Sequence, residues 1–247
     1  MRIACLSAES ADICARLGAW GDVVAVSAYA DQTDLDRKPV VSAFSTGDAR
    51  RVLAHRPDIV ITFSDVQAEI AAALIRAGAT VLATNQRTLA EIAAAIRLIA
   101  RAIGRVAAGE KLAADFERQL SELRRAPSRR PRVYFEEWPE PPISGIAWVG
   151  ELIELAGGED IFASRRGRSA GERTVRDDEV LAAAPDFILA SWCGRKVDLA
   201  ALRDRFSETP AARAGRIAEM PSSDFLQPGP RLLGGARTLH RMLADFE

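Results

Sequence analysis

The loop EEWPEPPISG, residues 136–145, sets two adjacent carboxylates and a tryptophan among three prolines. Paired carboxylates can carry acid–base chemistry, but neighbours on an extended chain point to opposite faces, so Glu136 and Glu137 are not expected to act as a dyad. Prolines fix the backbone, and a fixed backbone makes a rigid wall against a ligand, with Glu137 and Trp138 as its contacts. A second such place is SWCGRK, residues 191–196, where Trp192 offers a stacking surface and Cys193 a thiol. Cys5, Cys14 and Cys193 are scattered and form no CxxC, so neither a disulfide framework nor a metal site is expected. His55 and His240 fall in separate helical patterns, which argues against a histidine triad. GxGxxG after a strand, Walker A, GxSxG and HExxH are all missing from the sequence. The chemistry on offer is therefore recognition by aromatic and polar side chains, with no catalytic residue, metal or cofactor expected.

The elements that must position these residues come in two similar sets. VLAHRPDIVITFS at residues 52–64 is paraphrased by VLAAAPDFILASW at 180–192, at a constant spacing of 128 residues. Each copy has a helix-like end, a Pro-Asp break and an apolar run suited to a buried strand, which predicts corresponding parts of two α/β lobes. In the first, strands are expected at 3–6, 23–26, 59–63 and 81–83, with helices near 11–17, 49–55 and 66–77. Ser64 to Gln67 and Thr88 to Glu91 read as capping boxes. Residues 88–125 are Ala-, Leu-, Glu- and Arg-rich at helical spacing and weakly broken at Gly104 and Gly109, which predicts a helix, a break and a second helix over 107–123. The rhythm then restarts, with strands at 133–136, 187–190 and 216–220 and helices at 148–156, 177–183, 199–206 and from Arg231. The expected domains are an N-terminal lobe over 1–88, a helical bridge and linker over 89–130, and a C-terminal lobe over 131–247. Ligands of parallel sheets gather outside the carboxyl ends of strands, which marks Phe63 and Ser64 in one lobe and Trp192 and Cys193 in the other. Trp148 is expected to pack inward, and Phe225, in SSDFLQPGPR, either faces a ligand or plugs its lobe.

The chain has 247 residues, 48% of them hydrophobic, enough for a sizeable core. With 33 basic against 34 acidic residues it carries a net charge of -1, no footprint for nucleic acid or an anionic membrane. The basic run RRAPSRRPR, residues 124–132, reads as a solvated linker. MRIACLSAES enters an apolar strand at once, without the pattern of a signal peptide, so the chain as written is expected in the cytoplasm, and in the periplasm if it is a trimmed mature form.

RIACLSAES, VVSAFSTGDARRVLAHRPDIVITF, GATVLATNQRTLAEI, RVYFEEWPEPPISGIAWVGELIELAGGEDIF and LQPGPRL together resemble the substrate-binding proteins of cobalamin and iron-chelate ABC importers, the helix-bridged class III kind. The resemblance implies two Rossmann-like α/β lobes joined by a single long helix, a non-enzymatic monomer, and a bulky chelate, foremost a cobalamin-like corrinoid, in a cleft between the lobes. Carried onto this chain, Phe44 and Phe63 match two aromatics that pack on the corrin. Ala83 stands where a further aromatic is expected, and Asp224 where a tryptophan is, with Phe225 beside it. The implied contacts are Phe44, Phe63, Ser64, Asn85, Gln86, Glu137, Trp138, Trp192, Cys193 and Phe225. Glu69 matches one of two glutamates that dock on the permease, while the other position is Leu226.

Two other readings stay open. An iron siderophore or haem would draw on Arg87, Arg195 and Arg231 for its negative charge. A cytoplasmic enzyme or ligand-handling protein reusing the fold would use Glu136, Glu137 and Cys193 as reactive groups.

Overall fold

The computed structural model describes residues 1–246 and divides them into two compact units, one of residues 1–86 with 90–116, the other of 87–89 with the chain from 117 onward. In the first unit β1 (Ile3–Cys5), β2 (Val23–Ser27), β3 (Val40–Ser42), β4 (Ile59–Phe63) and β5 (Val81–Thr84) form one sheet in the order β3-β2-β1-β4-β5. Every pairing in it is parallel. Strand order reverses at β1 and β4, so the loops leaving these two strands flank the switch point at the carboxyl edge. α1 (Ala8–Arg16), α2 (Ala49–Ala54) and α3 (Ala68–Arg76) are the short helices between these strands. Ala4, Val41, Val52, Val60, Ile70 and Leu74 make one buried cluster beneath α2 and α3.

α4 (Leu89–Ala102) and α5 (Val106–Glu122) follow, and α5, at 17 residues, carries the chain from one unit into the other. The break between them is the turn at Gly104, whose φ of 70° suits glycine. Gly109, expected to weaken the helix, lies inside α5: a Cβ there would sit 2.1 Å from the Ala100 Cβ, so its missing side chain lets α5 pack closely on α4.

The second unit contains β6 (Arg132–Pro139), β7 (Pro142–Ser144), α6 (Ala147–Leu155), β8 (Glu159–Asp160), α7 (Asp177–Ala183), β9 (Phe187–Ala190), α8 (Leu199–Arg205), α9 (Pro210–Arg213), β10 (Ile217–Glu219), α10 (Ser222–Phe225) and α11 (Leu232–Ala244). Its sheet runs β10-β9-β6-β7, parallel except for the hairpin of β6 with β7, and β8 joins the start of β6. Tyr134 anchors the core, its ring edge-on to Phe162 and Phe206 at 5.7 and 5.8 Å.

The repeated phrase occupies equivalent places. β4 lies between β1 and β5 as β9 lies between β6 and β10. In both copies the residue before the proline has a left-handed backbone, Arg56 at φ 47° and Ala184 at φ 48°, which ends the helix before the strand. The aspartate that follows exchanges bonds with the start of the neighbouring strand. Asp58 accepts from the Arg2 N–H at 2.7 Å, and Asp186 from the Arg132 N–H at 2.9 Å. Each aspartate N–H returns a bond at 2.8 Å to the carbonyl of that same arginine. Replacing Asp186 by Ala leaves a strand-end amide without its charged acceptor, and chemical denaturation should show a loss of about 1–2 kcal/mol, with Asp186→Asn losing less.

Candidate ligand-binding site

At the carboxyl edge of the first sheet, one side chain gathers three strand ends. The buried Gln67 donates through Nε2 to the carbonyls of Leu6 at 2.7 Å and Phe44 at 3.0 Å, and its Oε1 accepts the Phe63 N–H at 2.9 Å. The expected capping box is thereby altered. Ser64 caps a 3-10 turn through Val66, while Gln67 reaches past Ser64 to Phe63, because the Ser64 N–H is already given to Thr84 at 2.7 Å. Ser64 has φ 58° and ψ 179°, a backbone region that strongly favours glycine, held in place by these bonds.

Held this way, Phe44 is 42% exposed and Val66 40%, and Tyr29, just past the end of β2, is 44% exposed. An apolar edge is thus open at the ends of three strands. Phe63, in contrast, is buried within β4. Asn85 is exposed and Gln86 buried. Glu69 is exposed in the first turn of α3. At the turn from β1 into α1, Glu9 is 5% exposed and its Oε1 has no hydrogen-bond partner among the described residues. Burial, partly opposed by a hydrogen bond from Ser7, pushes its carboxyl up to about 7.

In the second unit the adjacent glutamates do diverge. Glu136 is wholly buried and accepts from the Tyr134 hydroxyl at 3.1 Å, the Trp192 indole at 3.2 Å and the Arg205 guanidinium, which also pairs with Asp177 at 3.2 Å. Burial pushes the Glu136 carboxyl up, and Arg205 pulls against it. Glu137, on the other face, accepts from Arg173 at 2.5 and 3.2 Å, and Arg173 also donates to the Ser144 carbonyl at 2.6 Å. Trp138 is partly buried and its indole donates to the Glu140 carbonyl at 3.0 Å.

Here the expectation for Trp192 is corrected, and of the two roles open to Phe225 the ligand contact is ruled against. Trp192 is 5% exposed and belongs to the core with Tyr134 and Phe206, because its indole N–H is drawn inward to Glu136; it offers no stacking face to a ligand. Phe225 is fully buried, stacked on Phe135 with centroids 5.6 Å apart, and its carbonyl accepts from Trp148 at 2.7 Å; it plugs its lobe. Leu226 ends α10 and is partly buried. Cys193 is half-buried, and burial with Glu137 nearby pushes its thiol up, the opposite of what a nucleophile at neutral pH requires. Arg195 lies over both indoles, 5.4 Å from the Trp138 centroid and 5.7 Å from that of Trp192, and makes no ion pair among the described residues.

Residues 3–223 match the family described as periplasmic binding proteins. The chain belongs to that family. It is 30% identical over 200 residues to the vitamin B12-binding protein of Vibrio cholerae serotype O1, covering 77% of this chain and 70% of that protein. Among solved structures, the periplasmic vitamin B12 binding protein BtuF of Vibrio cholerae superposes with a TM-score of 0.78 at 24% identity, covering 98% of this chain and 96% of that one. The periplasmic haem-binding protein BhuT, solved with two haems, superposes with a TM-score of 0.80 at 25% identity, covering 99% and 98%. No helix among the described residues is long and apolar enough to cross a membrane.

Sequence reasoning about this binding protein overlooked Tyr29, Arg173 and Arg205, and read Gln67 as a helix cap only. Tyr29 could have been found, since it follows the apolar run of β2 as Phe63 ends that of β4. The other three act through partners that only the fold supplies.

Two predictions follow from the buried carboxylates. Glu9 is protonated in the folded chain up to about pH 7, whereas an unfolded glutamate loses its proton near 4.5. Between those values only the folded state holds the proton, so stability falls as pH rises, by about 3 kcal/mol in all, and is level above pH 7. In Glu9→Gln, denaturation midpoints measured across pH 4.5 to 7 should show that decline removed. Arg205→Met, by leaving the Glu136 charge buried without its cation, should cost about 3 kcal/mol or more, and Arg205→Met with Glu136→Gln should recover much of it.

Proposed function

We propose that this binding protein carries a bulky, flat chelate, foremost a cobalamin-like corrinoid, for an ABC permease. The observation that carries this reading is the apolar edge of Tyr29, Phe44 and Val66, exposed at the carboxyl ends of three parallel strands and braced by Gln67. Apolar side chains exposed together at one edge mark a contact surface more often than ones scattered singly, and the carboxyl edge is where ligands of this architecture bind. The kinship with a vitamin B12-binding protein supports a corrinoid as that partner. In the second unit Trp138 and Glu137 face the ligand, with Arg173 fixing the glutamate. Ser64, Asn85, Gln86 and Cys193 contribute at the polar margin. Glu69 is the docking contact for the permease, and Leu226, where a second glutamate is expected, removes one ion pair and weakens that docking. The working location is that of the family, the periplasm, the second of the two locations expected from the sequence.

A second reading, an anionic iron chelate such as haem, is favoured by Arg195, a cation held on two indoles without a carboxylate to neutralise it. The kinship with BhuT supports it as well. The chain has four tryptophans, so titration with cobalamin and with haemin can be followed by their fluorescence. For a corrinoid carrier, cobalamin should quench with a dissociation constant below about 10 μM, weakened about tenfold in Phe44→Ala and little changed in Arg195→Ala. Saturable quenching by haemin alone, lost in Arg195→Ala, would replace the corrinoid by the iron chelate.

A further inference from the structure

We propose that Cys5 and Cys14 are a disulfide site, a covalent tether between β1 and α1 in the first unit. Their sulfurs are 3.7 Å apart, one thiol donating to the other, and both residues are fully buried. The contact follows from local geometry. Along β1, Ala4 faces the cluster under α2 and α3, so alternation turns Cys5 to the opposite face. Ile13 and Cys14 are buried on α1, and the thiol contact places α1 over that opposite face. The two cysteines are therefore neighbours in space although nine positions apart in sequence. A disulfide needs its sulfurs about 2.05 Å apart, a closure within reach of side-chain rotation from van der Waals contact. Cys193 belongs to the other unit.

The bond forms by thiol–disulfide exchange with a disulfide oxidant such as oxidised glutathione. One cysteine thiolate attacks the oxidant, releasing one thiol and leaving a mixed disulfide. The second cysteine thiolate then displaces the other thiol and closes the Cys5–Cys14 bond. Both cysteine protons end on the two glutathione thiols, and the oxidant takes up the electron pair. The hydrogen bond with Cys14, and then burial, push the Cys5 thiol up, and burial shields the reduced pair, so exchange is slow in the folded chain and fast while the core is still open. An exported chain folds among such oxidants, whereas a cytoplasmic one does not. The tether would fix the turn that follows Cys5, where the Leu6 carbonyl accepts from Gln67 and Glu9 lies in the first turn of α1, and so stiffen the exposed edge without touching it.

The test refolds the full chain from denaturant in a buffer of reduced and oxidised glutathione, alkylates free thiols, and maps the bonds by mass spectrometry. The expected result is one internal bond, Cys5 to Cys14, with only Cys193 alkylated, and a melting temperature about 5 °C above that of chain refolded with reductant. Cys193→Ala should keep both the bond and the gain, and Cys14→Ser should lose both. Three alkylated cysteines after oxidative refolding, or a bond that recruits Cys193, would overturn the site. Neither outcome depends on which chelate the protein carries.

Discussion

Where parallel strands end together, the backbone groups beyond the last ladder bond must be satisfied by something other than another strand. In the first unit the Gln67 amide does this for three segments at once, and the exposure of Phe44 and the path of the chain through Ser64 both depend on it. An amide suits the task because it donates and accepts while remaining neutral, so it can be buried without the cost of a charge. The second unit uses charge at its strand end instead, and there it joins side chains rather than backbone groups. Glu136 collects a phenol, an indole and a guanidinium, and three donors with one cation make its burial tolerable.

The second unit's solution also decides which aromatic groups remain open. By drawing the Trp192 indole inward, Glu136 commits that ring to the core and leaves Trp138, under Arg195, as the partly exposed aromatic of that edge. Glu137, one residue along, faces the other way, so a single dipeptide serves the interior with one side chain and the surface with the next. Arg173 neutralises the outward carboxylate while itself buried, which gives the wall polarity without a mobile charge.

Much of the architecture was legible in the sequence because it is written in short-range patterns. Apolar runs marked β4, β9 and their neighbours, helical spacing marked α4 and α5, and the repeat announced two related sheets. β3 and β7 escaped notice because each is three residues long and owes its shape to the strand beside it. The candidate site was less legible. The core role of Trp192 was missed and that of Phe225 left undecided, because their partners, Glu136 and Phe135, lie far away in sequence and their aromatic rings satisfy a stacking role and a core role equally well. Gly109 carried the wrong meaning for the same reason: helix propensity sees a weak point, and only the approach of Ala100 shows a fit.

The Pro-Asp phrase has a consequence for alignment. A strand that slides by one residue against its neighbour turns every side chain to the wrong face. In parallel sheets, whose strands are joined by long crossings, no tight hairpin forbids such slippage. The aspartate after each proline grips both the amide and the carbonyl of one arginine on the adjacent strand, a grasp that only a single offset permits. The left-handed residue before the proline sets where that strand begins. Repeated once per sheet, the phrase works as an index mark, letting each half find its own register without reference to the other.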